Sequence, residues 1–220
     1  MTWNTTSVLV LIGSILIAYL LGSVNFAIIV TKLFKKGDIR DYGSGNAGMT
    51  NVLRTVGKGA AALTLLGDFL KGILAVLIMR LLMFLLCGVT DTALLDYFAA
   101  LAALIGHLFP VFYGFKGGKG ILVSAGAMLI LSPWSLLLCL AAFLLFASLT
   151  RYISAGSIAA GATYPFGVML VTCLTAGSIH WAEVALAAVI GLSVILMHHA
   201  NIKRLINGTE SKVSFKSKKS

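Results

Sequence analysis

Seven apolar runs dominate this chain, and the short segments between them carry most of its charge. The runs cover residues 7–30, 60–87, 92–112, 121–131, 134–149, 154–175 and 181–197. Charged residues make up 11% of the sequence, against about 25% in ordinary soluble domains, and 59% of residues are hydrophobic. That leaves too little polar surface to coat a globule, so apolar faces must meet lipid. The expected organisation is a single polytopic membrane domain over residues 1–210, followed by a basic cytoplasmic tail over 211–220.

Charge distribution orders the crossings. A perpendicular helix needs about 20 residues to span the bilayer, and the runs 121–131 and 134–149 are shorter. Ser132 and Pro133 between them read as a tight turn between two short helices, the alternative being one helix kinked at Pro133. With the N-terminus outside and seven crossings, the inner segments hold Lys32, Lys35, Lys36, Arg40, Arg54 and Lys58, then Lys116 and Lys119, then Arg151, and finally the basic tail. The outer segments 1–6, 88–91, 132–133 and 176–180 contain neither Lys nor Arg. Six crossings would put the basic tail outside, against the positive-inside rule. The first run has no basic residue before it and three lysines just after, the reverse of a cleaved signal peptide, and reads as a retained helix. The fold expected is therefore an all-α integral membrane protein with seven transmembrane helices, N-terminus outside and C-terminus cytoplasmic.

A formal net charge of +10 would suggest nucleic acid in a soluble protein. Here the basic residues are explained by topology, with some attraction for anionic lipid heads and anionic substrates, and no nucleic-acid partner is expected. Cys87, Cys139 and Cys173 lack metal-ligand spacing, and neither a metal nor a cofactor is expected. Within the apolar runs, Arg80 is close enough to a helix end to snorkel. Asp68 and Lys71 sit three residues apart on one helical face, where an ion pair lowers the cost of both charges. They read either as a structural pair facing the bundle or as support for a polar cavity.

Four polar clusters stand out, and the seven-crossing reading puts all of them at the cytoplasmic rim. Residues 41–54 combine three glycines with the neutral hydrogen-bonding groups of Ser44, Asn46, Thr50 and Asn51 and with Arg54, whose planar fork suits phosphate. A plain loop before a helix would also use Gly, Ser and Asn, though seldom so many amides and hydroxyls so close together. Residues 106–120 end in Lys-Gly-Gly-Lys-Gly ahead of a helix, a plausible phosphate cradle in which Gly117 and Gly118 supply amides and Lys119 a charge. The spacing is not that of a nucleotide P-loop, so ATP is not inferred. Residues 150–157 include Ser154, which as an isolated signal reads as a helix cap, and Ser157. The last cluster places His198 and Asn201 one turn apart, able to aim at one ligand. Together the clusters describe a site for a phosphorylated small molecule beside the membrane, with apolar helices available for an acyl chain.

The motifs Ser-Gly-Asn-x-Gly-x-Thr-Asn-Val-Leu-Arg over 44–54, Gly-His-x-Phe-Pro-Val-Phe-x-x-Phe-Lys-Gly-Gly-Lys-Gly over 106–120, and His-x-x-Asn at 198–201 occur in that order. This pattern resembles the bacterial acyl-phosphate:glycerol-3-phosphate acyltransferase family, PlsY, over nearly the whole chain from Gly22 to Glu210. The resemblance implies a seven-helix, N-out enzyme of the bacterial inner membrane with its site on the cytoplasmic side. Such an enzyme makes lysophosphatidic acid from glycerol 3-phosphate and acyl phosphate in the first acylation of phospholipid synthesis, and is expected to be a monomer. It implies substrate-binding positions at Ser44, Thr50 and Arg54, a phosphate loop at Gly117, Gly118 and Lys119, third-motif serines at Ser154 or Ser157, a last motif at His198 and Asn201, and a structural acid at Glu210. His107, with Asp68 and Lys71, is expected to support the site. Ala47 and Met49 stand where the family more often has Pro and Ala.

The chemistry expected is direct attack of the glycerol 1-hydroxyl on the acyl carbonyl, with Arg54 and Lys119 offsetting the repulsion of two phosphates. Ser44, His198 and Asn201 would orient the glycerol part. The base is either His198 or the substrate's own phosphate. An acylated Ser44 is the competing route. A transporter is disfavoured by the lack of an inverted repeat, and a metal-dependent phosphotransferase by the scarcity of carboxylates in the inner loops.

Overall fold

The computed structural model describes residues 4–212, and all regular structure among them is helical. Residues 1–3, and residues 213–220 of the expected tail, lie outside the described residues. The chain forms two compact units, Met1–Pro133 and Trp134–Ser220.

In the first unit, α1 (Thr5–Ser23) starts at Asn4, whose side chain accepts a hydrogen bond from the Ser7 amide at 2.8 Å. The first apolar run is not one helix. Asn25 interrupts it by accepting from the Ile28 amide at 3.1 Å, which caps a new helix, α2 (Phe26–Lys35). A short 3-10 turn (Ile39–Asp41) and helix α3 (Met49–Thr55) follow. The long helix α4 (Lys58–Cys87) comes next, then α5 (Ala93–Leu108), a second 3-10 turn (Val111–Tyr113) and α6 (Ile121–Leu131). These bounds match the runs 60–87 and 121–131 closely. Ser132 separates α6 from the next helix, as expected of two helices rather than one kinked one.

Small residues let these helices touch backbone to backbone. A Cβ on Gly22 of α1 would collide with the Ala103 carbonyl of α5, and one on Gly106 of α5 with the Tyr19 carbonyl of α1. Gly72 of α4 and Gly126 of α6 stand in the same relation to Val123 and Phe69. In lipid, where burial of apolar surface drives little association, such close packing is a main source of helix–helix stability. Two ion pairs in the same unit each hold a buried acid. Lys71 Nζ lies 2.9 Å from Asp68 Oδ1, as the spacing predicted. Arg80 does not simply reach outward: it pairs at 2.7 Å with Asp96 of α5, a buried acid that sequence reasoning overlooked, and also donates to the Ile130 carbonyl at 3.3 Å.

The second unit consists of α7 (Pro133–Thr150), α8 (Ile153–Ala176), α9 (Trp181–Met197) and α10 (His199–Ile206). Gly191 of α9 packs on the Gly161 carbonyl of α8. The chain bends by 56° between α9 and α10.

Among the described residues, five helical segments are long and apolar enough to cross a membrane, and a sixth is gained if the bent α9–α10 pair counts as one span. Leu9, Ile12, Leu81, Leu85, Leu149 and Leu174 point outward on them, a surface suited to lipid. α6 has 11 residues, about 16 Å of helix, and falls short of a hydrocarbon core of about 30 Å.

Candidate functional site

The first polar cluster folds around one side chain. Asn51, buried in the first turn of α3, directs Nδ2 to the carbonyls of Tyr42 (2.8 Å), Asn46 (3.1 Å) and Ile39 (3.2 Å), while its Oδ1 accepts from the Ser44 amide (3.1 Å). Its amide is thus engaged by the loop's own backbone, and Asn51 shapes the loop. The loop can wrap so tightly because Gly43 and Gly45 take left-handed φ values of +58° and +70°. Ser44 is exposed between them, Asn46 and Thr50 are half-buried, and Arg54 stands exposed in the last turn of α3. Ala47, buried beneath, accepts from Asn25 Nδ2 at 3.4 Å, which ties the loop to the break between α1 and α2.

The second cluster descends from the end of α5. Gly114 and Phe115 adopt left-handed φ values of +66° and +58°, and the chain then folds back on the helix it left. The Gly117 amide donates to the Leu108 carbonyl and the Gly118 amide to the His107 carbonyl, each at 3.1 Å. This differs from the expected cradle, because these two N–H groups are engaged by α5. Both positions instead require glycine for space: a Cβ on Gly117 would strike the His107 carbonyl, and one on Gly118 the His107 ring and, at 2.6 Å, the Ala47 carbonyl. Lys119 follows, half-buried, and α6 begins after Gly120 with no side-chain cap, so the amides of its first turn lack intrahelical acceptors.

His107 joins this loop to the buried ion pair. Lys71 Nζ donates to the carbonyls of Val24 (2.7 Å) and Gly22 (2.9 Å), and lies 2.9 Å from His107 Nδ1. An ammonium cannot accept, so Nδ1 is the acceptor and the ring proton sits on Nε2, on the side of Gly118. Lys71 therefore ties α4 to both the α1–α2 break and the end of α5.

In the second unit the third and fourth clusters meet at Glu210. Its Oε1 accepts from Asn201 Nδ2 (2.8 Å) and Ser154 Oγ (3.0 Å), and its Oε2 from Arg204 Nε (2.6 Å). Burial pushes this carboxyl up, but the hydrogen bonds from Asn201, Arg204 and Ser154 together outweigh it and hold the group below its usual 4.5. Ser154 is not a helix cap: Tyr152 occupies that position, and the serine hydroxyl turns to the acid instead. Ser157 donates back to the Ile153 carbonyl at 3.0 Å. His198 is buried at the α9–α10 bend, with Nδ1 2.8 Å from the Val194 carbonyl. A carbonyl only accepts, so Nδ1 carries the proton and the basic lone pair of the neutral ring lies on Nε2.

Known proteins place these features in a family. The family model described as "Glycerol-3-phosphate acyltransferase" matches residues 12–208. A glycerol-3-phosphate acyltransferase of Clostridioides difficile is 46% identical over 200 residues, covering 91% of this chain and 94% of that protein. One of Neisseria gonorrhoeae is 44% identical over 205 residues, covering 93% and 98%. Among solved structures, crystal structures of PlsY, an integral membrane glycerol 3-phosphate acyltransferase, superpose with TM-scores of 0.80 for a glycerol 3-phosphate form and 0.77 for a lysophosphatidic acid form. They share 35% and 34% identity with this chain, each covering 93% of it, and 96% and 95% of the PlsY chain respectively. With its motifs in order, its helices in lipid-facing array and relatives matched almost end to end, this chain belongs to the glycerol-3-phosphate acyltransferase family.

Proposed function

We propose that this protein transfers a fatty acyl group from acyl phosphate to the 1-hydroxyl of glycerol 3-phosphate, giving lysophosphatidic acid and inorganic phosphate. This is the first acylation of phospholipid synthesis. The observation that carries the reading is the likeness to PlsY structures with glycerol 3-phosphate and with lysophosphatidic acid, the acceptor and the product of this reaction. The donor follows from the family resemblance and from the chemistry present: two cations, Arg54 and Lys119, in motifs suited to phosphate.

In this reading the glycerol 1-hydroxyl attacks the acyl carbonyl carbon, the new ester C–O bond forms, the mixed-anhydride C–O bond breaks, and phosphate leaves with its electron pair. Arg54 and Lys119 offset the repulsion between the two phosphates and stabilise the charge that develops on the leaving group. With the Gly117 and Gly118 amides turned to α5, phosphate is held by the Lys119 side chain and the first-turn amides of α6. Ser44, Asn46 and Thr50 offer hydroxyls and an amide to the substrate, on a loop shaped by Asn51. His198 Nε2 or a phosphate oxygen of glycerol 3-phosphate takes the hydroxyl proton, and Asn201, held by Glu210 with Ser154, orients the glycerol part. Ser157 lines the substrate site, and Asp68, Lys71 and His107 support it. An acyl phosphate is already activated, so no acyl-enzyme is needed.

The protein works as a monomer in the bacterial inner membrane, as one membrane domain over 1–210 with a basic tail over 211–220. It crosses seven times, N-terminus outside and reaction site on the cytoplasmic face. The distribution of Lys and Arg supports that count. α6 packs against α4 and α5, which suits a short crossing element sheltered by protein.

The test is purified protein given acyl phosphate and glycerol 3-phosphate, with acyl-CoA as the alternative donor. Lysophosphatidic acid and phosphate formed in equal amounts from acyl phosphate support the reading. Turnover with acyl-CoA alone would refute the donor assignment.

A further inference from the structure

Arg40 belongs to the first polar segment, yet its guanidinium reaches the second. Its Nε and Nη2 donate to Asp38 at 3.0 and 2.8 Å, and its own amide donates to the same carboxylate at 3.0 Å. Nη1 is thereby aimed away, at the carbonyls of Tyr113 (2.7 Å) and Lys116 (3.2 Å). These two carbonyls bracket Gly114 and Phe115, the consecutive left-handed residues that turn the chain back toward α5. Phe115 carries a Cβ, so its φ of +58° is unfavourable unless the surroundings impose it. On the inner side the Pro110 carbonyl accepts from the Tyr113 and Phe115 amides, and the Leu108 and His107 carbonyls from those of Gly117 and Gly118. On the outer side the Arg40 fork grips the carbonyls. The next residue in the chain is Lys119.

We propose that Arg40, oriented by Asp38, is a positioning residue for Lys119: by clamping the Tyr113 and Lys116 carbonyls it fixes the turn that sets where the Lys119 ammonium stands. Its bearing on catalysis rests on the reading of Lys119 as a phosphate-binding residue. The geometry asks for arginine. Only a planar fork grips one carboxylate and two carbonyls at once, whereas a lysine ammonium is a point charge with three donors on a flexible stem. The Arg40 hydrogen bond holds the Asp38 carboxyl below its usual 3.8, so the partner stays ionised at neutral pH.

Two readouts on the purified full-length protein test this. The first is acetylation of Lys119 relative to Lys58, followed by peptide mass spectrometry in Arg40→Gln, Arg40→Lys and Asp38→Asn. The clamp predicts at least a fivefold change in relative Lys119 reactivity in Arg40→Gln, a smaller change in the same direction in the other two, and an unaltered melting temperature in Asp38→Asn. The second is steady-state kinetics with each substrate varied. Arg40→Gln, at matched folded protein, lowers kcat/KM at least tenfold for one or both of the phosphate-bearing substrates, because Lys119 both binds phosphate and stabilises the leaving group. If Arg40→Gln does not unfold cooperatively, Arg40→Lys and Asp38→Asn carry both readouts. Unchanged Lys119 reactivity overturns the clamp whatever the turnover. So does a loss of turnover that disappears when rates are compared at matched folded protein. A wild-type protein that makes no lysophosphatidic acid refutes the proposed function alone, because the reactivity of Lys119 is read without turnover.

Discussion

Lys71 Nζ lies 2.9 Å from Asp68 Oδ1, one helical turn along α4, with both side chains sealed from solvent. Two opposite charges at that depth hold each other in place, and the lysine adds three further contacts, to Gly22, Val24 and His107. The pair therefore connects the interior of the helical unit to the loop that carries Lys119.

Removing one partner leaves the other charge buried and uncompensated, which in comparable pairs destabilises by about 3–5 kcal/mol. Lys71→Met and Asp68→Leu are each expected to lower the melting temperature of the detergent-solubilised protein by several degrees. The double variant should recover part of the loss. A loss in the double variant equal to the sum of the two single losses would mean that the two charges do not stabilise each other.

Gly118→Ala tests the close approach of the loop over residues 114–120 to α5. The new Cβ meets the His107 ring and the Ala47 carbonyl, and overpacking of this kind typically costs about 1–3 kcal/mol. Activity is expected to fall at least tenfold as the loop shifts. Gly59→Ala is the control, since nothing lies within 4 Å of a Cβ there, and it should leave turnover and stability near wild type. Equal behaviour of the two variants would contradict the packing account.

Glu210→Gln should weaken the link between α8, α10 and the last motif. Because the folded carboxyl titrates below its usual 4.5, its stabilisation is fully present above that value and disappears as pH falls through the lower folded value. The variant is therefore expected to be less stable than wild type at pH 7, by about 1 kcal/mol. The gap should close progressively below pH 4.5. Melting curves of both proteins from pH 3 to 7 check this, and a gap that widened in acid would reverse the sign of the argument.

His198→Asn separates the two candidate bases. If Nε2 accepts the hydroxyl proton, the single-turnover rate should fall about 100-fold or more. A chemical step within threefold of wild type would leave the substrate's phosphate as the base.

Much of this architecture is legible in the chain. The bounds of α4 and α9 follow from where apolar runs stop, and the Asp68–Lys71 pair follows from a three-residue spacing on one helix. What stays hidden depends on partners distant in sequence. Asp96 sits inside an apolar run as a lone acid, and its reason for being there, Arg80, is 16 residues away on another helix. Ser154 looks like a cap because its true partner, Glu210, is 56 residues further on. The glycines of the second loop were legible as glycines, but the direction of their amides depends on how the loop folds back on α5. Asn25 ends a helix inside a continuous apolar run, where hydropathy alone registers no break.

The central claim is acyl transfer from acyl phosphate, supported by Arg54 and Lys119. Its most direct measurement is lysophosphatidic acid and phosphate formed by purified wild type, Arg54→Gln and Lys119→Gln from acyl phosphate and glycerol 3-phosphate, quantified by mass spectrometry. The account predicts one phosphate released per lysophosphatidic acid in the wild type, and rates at least about 1,000-fold lower in both variants at matched folded protein. Wild-type rates in Arg54→Gln, or no lysophosphatidic acid from the wild type, would contradict it.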